Sequence, residues 1–455
     1  MSHVIAAIST PAGAAGLGVV RLSGDDAVAV AARLFRPADS ARPLSALRGY
    51  TAAYGHVYDA DGDVDDCVAL VFRAPHSYTG EDVVELSCHG GRYILQRVLR
   101  ACFAAGARPA AAGEFTRRAF LNGKMDLTGA ESVMDLIAAE GNLAARTALA
   151  AREGGIFRRL QAVKEDLLAV AAQFAAYIDY PDEDIPELEP PVLGDTIHRS
   201  IEAMEQLLST YDAGRILREG IDTAIVGRPN VGKSTRMNLL AGCERSIVTD
   251  IAGTTRDVVE ETVRLGDVTL RLADTAGLRD TADTVESVGV TRARARMEQA
   301  ALVLAVFDGS EPLAEEDKAL ASRLKDRAAI AIINKADKPL AIDTAWIGAQ
   351  FAHTVTLSAK EDSGVGALVA AVAEVTGVRR LDAAQPVLST ERQRQCAADC
   401  LACLKEAQTA LAIGLTPDAV SVSVDGAINA LLELTGERAT EAVVEQVFAR
   451  FCVGK

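Results

Sequence analysis

Aromatic side chains are scarce, at 4% of the 455 residues with a single Trp. Cores with so few rings have to be filled by aliphatic side chains and the abundant alanine, which suits helix packing. Basic charge is also short: 47 Lys and Arg stand against 63 Asp and Glu, a net charge of −16. A broad basic face for nucleic acid is therefore not expected, and any RNA contact has to be local or shared with a partner. No apolar run approaches the roughly 18 residues of a membrane-spanning helix. Eight cysteines occur without paired spacing, so no disulfide framework is expected and a reducing, cytoplasmic setting fits. The opening MSHVIAAISTPAG has neither the charged start nor the long apolar core of a secretory signal.

What is present is ordinary globular material, 49% hydrophobic and 24% charged, in a length that suggests about three domains. Residues 1–118 read as mixed α/β, with β-like runs at VIAAIS, GVVRLSG, VALVF and VVELSCHG and turns at Pro11 with Gly13, Asp61–Gly62 and Gly90–Gly91. An amphipathic helix is expected from about Tyr93 to Ala105, with Ile94, Leu95, Val98, Leu99 and Cys102 on one face. Residues 119–217 turn helical, broken at PDEDIPELEPP by Pro181, Pro186, Pro190 and Pro191, with a further helix at about 195–212. Residues 218–378 alternate apolar strands with helices, the pattern of a parallel sheet with crossovers. Residues 379–455 are helical again. The expected fold is a multidomain α/β plus all-α chain, with a P-loop domain of Ras-like parallel sheet inserted into a helical domain.

The strongest local signal runs from Gly227 to Ser234, GRPNVGKS, after the strand-like TAIV and before a helical run. It fits G-x-x-x-x-G-K-S/T. Asn230, Val231 and Gly232 belong to a loop whose backbone N–H groups can curl around phosphates, Lys233 can neutralise β/γ charge, and Ser234 offers Mg²⁺ a hard oxygen, with Thr235 next. Asp274, Thr275, Ala276 and Gly277 follow the strand VTLRLA, where an Asp can hold Mg²⁺ from its outer shell and Gly277 admits the γ-phosphate. Asn334, Lys335 and Asp337 end the strand AIAII. A carboxylate there accepts from guanine N1–H and the 2-amino group, a donor pair that adenine lacks, so Asp337 selects GTP. Ser358, Ala359 and Lys360 end another strand and can close over the base. Between the first two motifs lies the expected first switch, Thr249, Asp250, Ile251, Ala252, Gly253, Thr254 and Thr255, with Thr255 as the second protein ligand of Mg²⁺. The position where Ras-like enzymes carry a water-orienting Gln is Leu278 here, which cannot hydrogen-bond water. Asp280, Asp283 and Glu286 follow, and position alone does not choose among them. No arginine finger is evident, although Arg256 and Arg279 are nearby candidates.

Taken together, PHSYTGEDVVELSCHGG (75–91), GEFTRRAFLNGKMDL (113–127), IDYPDED (178–184), TDIAGTTRD (249–257), DTAGLR (274–279) and the terminal FCVGK (451–455) resemble the bacterial tRNA-modification GTPase family called MnmE or TrmE. The resemblance spans essentially the whole length. It implies K⁺ held by Asn230, Thr249, Ile251 and Thr254, in place of an arginine finger, and it selects Glu286 as the water-orienting carboxylate. It implies a catalytic set of Glu286, Lys233 and Asn230. It further implies that residues 1–118 form a dimerising, folate-binding domain. Arg21, Glu85, Lys124 and Lys455 would contact 5-formyl-tetrahydrofolate or a related tetrahydrofolate, with Cys452 nearby as a possible reactive thiol. The implied partners are a second copy of the chain, an FAD-dependent subunit of the MnmG or GidA type, and tRNA. The implied activity is carboxymethylaminomethyl or aminomethyl modification at C5 of a wobble uridine. Val453 stands where the family more usually has Ile, and Arg236 replaces a leucine-like residue behind the phosphate loop.

Other features carry bland readings. Cys396, Cys400 and Cys403 lie at i, i+4 and i+7 and read as an apolar helix stripe, since no fourth ligand is near. Cys88 and His89 are adjacent in a strand and point to opposite faces. Arg152, Arg158, Arg159 and Lys164 read as a solvated helix face. Rival functions are an RNA-binding GTPase switch in ribosome assembly and a folate-dependent one-carbon enzyme with a regulatory GTPase domain. The first is weakened by the tail, where residues 380–455 hold seven Lys and Arg against ten Asp and Glu, with no GxxG clamp.

Overall fold

A computed structural model of the chain describes residues 3–179, 190–229, 231, 261–272, 298–358, 363–382 and 384–455. In chain order its first elements are β1 (Ile5–Ile8), β2 (Ala15–Ser23), α1 (Ala27–Ala32), β3 (Phe35–Pro37), β4 (Thr51–Asp59), β5 (Gly62–Phe72), β6 (Val83–Gly90), α2 (Arg92–Ala104), β7 (Arg108–Pro109) and α3 (Glu114–Leu121). Helices α4 (Leu127–Ala138), α5 (Asn142–Arg152), α6 (Gly155–Asp179), α7 (Pro190–Leu208) and α8 (Tyr211–Glu219) follow. Next come β8 (Ile221–Val226), β9 (Glu261–Leu265), β10 (Val268–Leu272), β11 (Leu302–Asp308), α9 (Glu315–Arg323), β12 (Ala329–Asn334), α10 (Thr344–Gln350), β13 (His353–Thr356) and α11 (Val365–Val375). The chain closes with α12 (Glu391–Ala412), α13 (Pro417–Thr435) and α14 (Glu441–Phe448). Contacts group these into two units, Met1–Met134 with Ile428–Lys455, and Asp135–Ala427.

The first unit is built on a seven-stranded sheet in the order β3-β4-β5-β6-β2-β1-β7. Its pairings are antiparallel except β1 with β7. Helix α2 lays Leu95, Val98 and Cys102 on a core that also takes Val20, Leu22, Leu86 and Cys88. Cys88 is buried while the His89 side chain is exposed and pairs with Asp65 at 2.8 Å, as alternation along β6 requires. Strand β4 was not legible, because TAAYGHVYD carries Gly55 and His56 within a run that leaves Tyr54 exposed.

Buried charges knit this unit together. Arg118 on α3 donates to Glu81 at 2.8 Å and to Glu114 at 3.1 Å, and also reaches the His3 carbonyl at 2.9 Å. Ser23 donates to Glu81 at 2.7 Å, and Arg108 donates to Glu114 at 2.9 Å. The C-terminal tail lies on the same region: Val453 bridges Ala112, Ser9 donates to the Gly454 carbonyl, and the Phe115 N–H donates to the Lys455 carbonyl. Gly454 sits at φ 102, where a Cβ would collide with the Ile8 carbonyl, so glycine is required for that close approach.

The second unit contains a six-stranded sheet in the order β13-β12-β11-β8-β10-β9, parallel except for the β9–β10 hairpin. β11 is buried along its whole length, with Leu302, Leu304 and Val306 in one core and Val303, Ala305 and Phe307 in the other. That double burial is why its sequence runs continuously apolar rather than alternating. The segment after the sheet returns along the helix before it: the Leu388 N–H donates to Thr210 at 3.1 Å and Tyr211 donates to Glu391 at 2.8 Å. Asp135 binds both flanks, Arg218 at 2.8 Å and Ser389 at 2.9 Å.

Three sequence expectations change. Pro190 opens α7 instead of ending a helix, which the missing N–H of a first-turn proline allows. The helix expected at 195–212 is two helices, α7 and α8. Lys164 is buried at 7% exposure and is not part of a solvated face. Cys396 and Cys400 are buried on α12 and Cys403 half-buried, with the Cys400 thiol pushed up to about 12 by burial, and no metal-holding cluster exists among the described residues.

Burial pushes the Glu114 carboxyl up, but hydrogen bonds from Arg108, the Ala111 N–H and Arg118 prevail and hold it below the ordinary range. The unfolded chain therefore takes up this proton first. The stabilisation is complete above the ordinary glutamate pKa of about 4.3 and is lost as pH falls through the lower folded value. Glu114→Gln should destabilise the first unit by about 3 kcal/mol at neutral pH, because Arg118 keeps fewer anionic partners, and should flatten the acid limb of stability against pH. Thermal unfolding across pH 3–7 checks both; an unchanged acid limb would contradict the assignment.

Candidate functional site

In an open parallel sheet, ligands bind beyond the carboxyl ends of strands where the strand order reverses. Here that point is β8. It lies between β10 on one side and β11 on the other, and residues 227–234 follow directly from its carboxyl end. Gly227 has φ 156, and a Cβ there would collide with the Val306 carbonyl on β11, so the loop can leave the strand only with glycine at this position.

The base-recognition side is built at the ends of β12 and β13. The Asn334 amide donates to the Val231 carbonyl at 2.7 Å, tying the end of β12 to the phosphate loop. Its Oδ1 is buried with no partner among the described residues, an acceptor left over inside the site. Lys335 adopts φ 64, an uncommon left-handed conformation for a side-chain-bearing residue, and its ammonium is held by Asp308 at the end of β11. Burial pushes the Asp308 carboxyl up, but Lys335 and the Ser310 hydroxyl and N–H win and hold it below the usual range. Asp337 accepts from the fully buried Ser358 at 3.0 Å, and the Ala336 N–H donates to the Leu357 carbonyl at 3.1 Å. The turn from β12 is thereby fixed against the end of β13, and Asp337 is oriented by a hydroxyl. A carboxylate oriented by a buried hydroxyl fits a purine carrying an N1–H and a 2-amino group.

Of the remaining expected nucleotide residues, Val231 is described and buried at 2% exposure. Asn230, Gly232, Lys233, Ser234, Thr235, residues 249–255, 274–277, Glu286, Ala359 and Lys360 lie outside the described residues, as do Arg236, Leu278 and the other carboxylates weighed above. Sequence reasoning missed Asp308, whose available signal was its place before Gly309 at the end of an apolar strand parallel to β12.

In the first unit, Arg21 on β2 and Glu85 on β6 face each other across the ladder and bond at 2.8 Å. The Arg21 guanidinium lies 5.7 Å from the Tyr78 ring and 5.6 Å from the Phe115 ring. The Phe115 N–H holds the Lys455 carbonyl, so the C-terminal residue is brought to this corner. Lys124 donates to the Pro75 carbonyl at 3.0 Å, on the same 75–81 loop as Tyr78. Cys452 is exposed, and its carbonyl accepts from the Gly113 N–H at 3.4 Å. The aromatic partners Tyr78 and Phe115 were not foreseen, since only the fold brings them to Arg21.

Topology, glycine exit and base corner together define a guanine-nucleotide P-loop domain of the GTPase class. Two family models cover the chain, a GTP-binding protein TrmE N-terminus over residues 4–124 and an MnmE helical domain over residues 127–452. The tRNA modification GTPase MnmE of Symbiobacterium thermophilum is 44% identical over 457 residues, covering 100% of this chain and 99% of that protein. That of Levilactobacillus brevis is 41% identical over 458 residues, covering 99% and 98%. Among solved structures, the G domain of the T. maritima FeoB iron transporter is 24% identical with a TM-score of 0.26, covering 34% of this chain and 98% of that one. The chain belongs to the MnmE family of tRNA modification GTPases.

Asp337→Asn should weaken GTP binding by roughly a hundredfold, since the amide presents only one acceptor and a misplaced donor to the guanine edge. Xanthosine triphosphate carries a carbonyl where guanine has its 2-amino group, so the same variant should bind it better than the parent protein does. Calorimetric titration with both nucleotides decides this; equal loss for both would show that Asp337 does not meet the base.

Proposed function

We propose that this chain is a K⁺-activated, Mg²⁺-dependent GTPase that works in the cytoplasm with an FAD-dependent partner subunit. Together they install a carboxymethylaminomethyl or aminomethyl group at C5 of the wobble uridine of certain tRNAs. GTP hydrolysis drives a conformational change in this scheme. The observation that supports the GTP part is the Asn334–Val231 bond, which ties the end of β12 to the segment that follows β8. Family membership supports the tRNA-modification part.

In this reading Lys233 and the loop N–H groups bind the phosphates, and Ser234 and Thr255 hold Mg²⁺. Asn230, Thr249, Ile251 and Thr254 hold K⁺, and Glu286 orients the attacking water. Residues 218–378 form the GTPase domain, residues 119–217 and 379–455 the two parts of a helical domain, and residues 1–118 a domain that dimerises and binds a tetrahydrofolate. The chemistry of the Arg21 corner suits that ligand. Glu85 can accept from pterin N–H donors, and the half-buried Tyr78 ring offers flat apolar surface. Lys124 and Lys455 are the cations for its glutamyl carboxylates, with Cys452 a thiol nearby.

Three measurements test the reading. GTP turnover should be faster in K⁺ than in Na⁺; equal rates would remove Asn230 from the mechanism. Glu286→Ala should abolish turnover while leaving GTP affinity nearly intact, and loss of binding instead would make the residue structural. Nucleoside analysis of tRNA from a strain lacking the gene should show the unmodified wobble uridine; an unchanged profile would favour a ribosome-assembly switch.

A further inference from the structure

In the GTP-binding reading the loop after β8 has to present its N–H groups at fixed positions. Two of its anchors are described above: the packing of Gly227 under the Val306 carbonyl and the Asn334 bond to the Val231 carbonyl. A third comes from outside the sheet. Arg228 donates from Nε to Asp317 at 3.0 Å and lies 3.5 Å from Glu311. Asp317 is on the first turn of α9 and is 1% exposed. Its second oxygen accepts the Ala314 N–H at 3.0 Å, which caps α9 and fixes the carboxylate independently of Arg228. The arginine therefore ties the loop to a rigid helix start.

We propose that Arg228 is a positioning residue for the phosphate-binding loop and acts through Asp317. The proposal rests on the GTP-binding reading above. Arg228 itself does not reach the phosphates in this role, because its guanidinium is held by Asp317 and Glu311. A guanidinium suits the task because its planar fork keeps direction, whereas a lysine ammonium in the same place holds charge without direction. Restraining the loop before nucleotide arrives lowers the ordering cost of binding, so the tie strengthens GDP and GTP binding alike and leaves base choice untouched.

The test is a double-mutant cycle read on nucleotide affinity in the full-length protein. Arg228→Met and Asp317→Asn should each raise the Kd for GDP and GTP roughly tenfold, and the double variant should also sit near tenfold instead of a hundredfold. Arg228→Lys should recover part of the loss, and the preference for GTP over ATP should stay as in the parent protein. Additive losses, or an unchanged Kd accompanied only by a lower melting temperature, would overturn the proposal. If the parent protein binds no GTP, the GTP-binding reading falls and takes this proposal with it. Binding by the parent that is unaltered in Arg228→Met sinks the positioning role alone.

Discussion

The hydrogen bond from the Asn334 amide to the Val231 carbonyl is the constraint on which the nucleotide site depends. It joins the end of β12 to Val231 in the segment that follows β8. Asn334 also accepts the Gly309 N–H through its own carbonyl, so the end of β11 is tied to the same point. Three adjacent strand ends, of β12, β11 and β8, are thereby tied together. β11 and β12 are buried along their whole length, so their ends are held firmly.

The first unit solves a different problem. Its C-terminal tail has to reach a sheet whose strands come from the other end of the chain. It does so with backbone hydrogen bonds and the tightly packed Gly454, beside a buried network in which Arg118 is shared by Glu81 and Glu114. A buried arginine with two carboxylates and a backbone carbonyl is costly to leave half-paired. That cost fixes α3, the 73–82 loop and the corner where Arg21 meets Glu85. The segment that carries Lys455 is therefore part of this unit's architecture as well as a source of a side chain.

Much of this was legible beforehand, for identifiable reasons. Helix α2 announced itself by spacing, and β12 by the unbroken apolar run AIAII. The resemblance singled out Arg21 and Glu85, and the fold pairs them across β2 and β6. Less was legible where neighbours decide the outcome. β4 needed β3 and β5 to become a strand, and Pro190 needed a helix following it to become a first-turn residue. Lys164 looked solvated by type, and its burial is a consequence of packing.

The sequence by itself determined which chemistry the chain can perform, because loop glycines, a strand-end carboxylate and their order require no partner to be recognised. Spacing along the chain encodes such local requirements directly. Only the tertiary structure decided which groups share a charge or a surface: Asp308 with Lys335, Asp317 with Arg228, Phe115 with Arg21 and with the Lys455 carbonyl. Those pairings join residues separated in sequence by anything from 27 positions to several hundred. Their energies come from burial and from distances that no local pattern specifies.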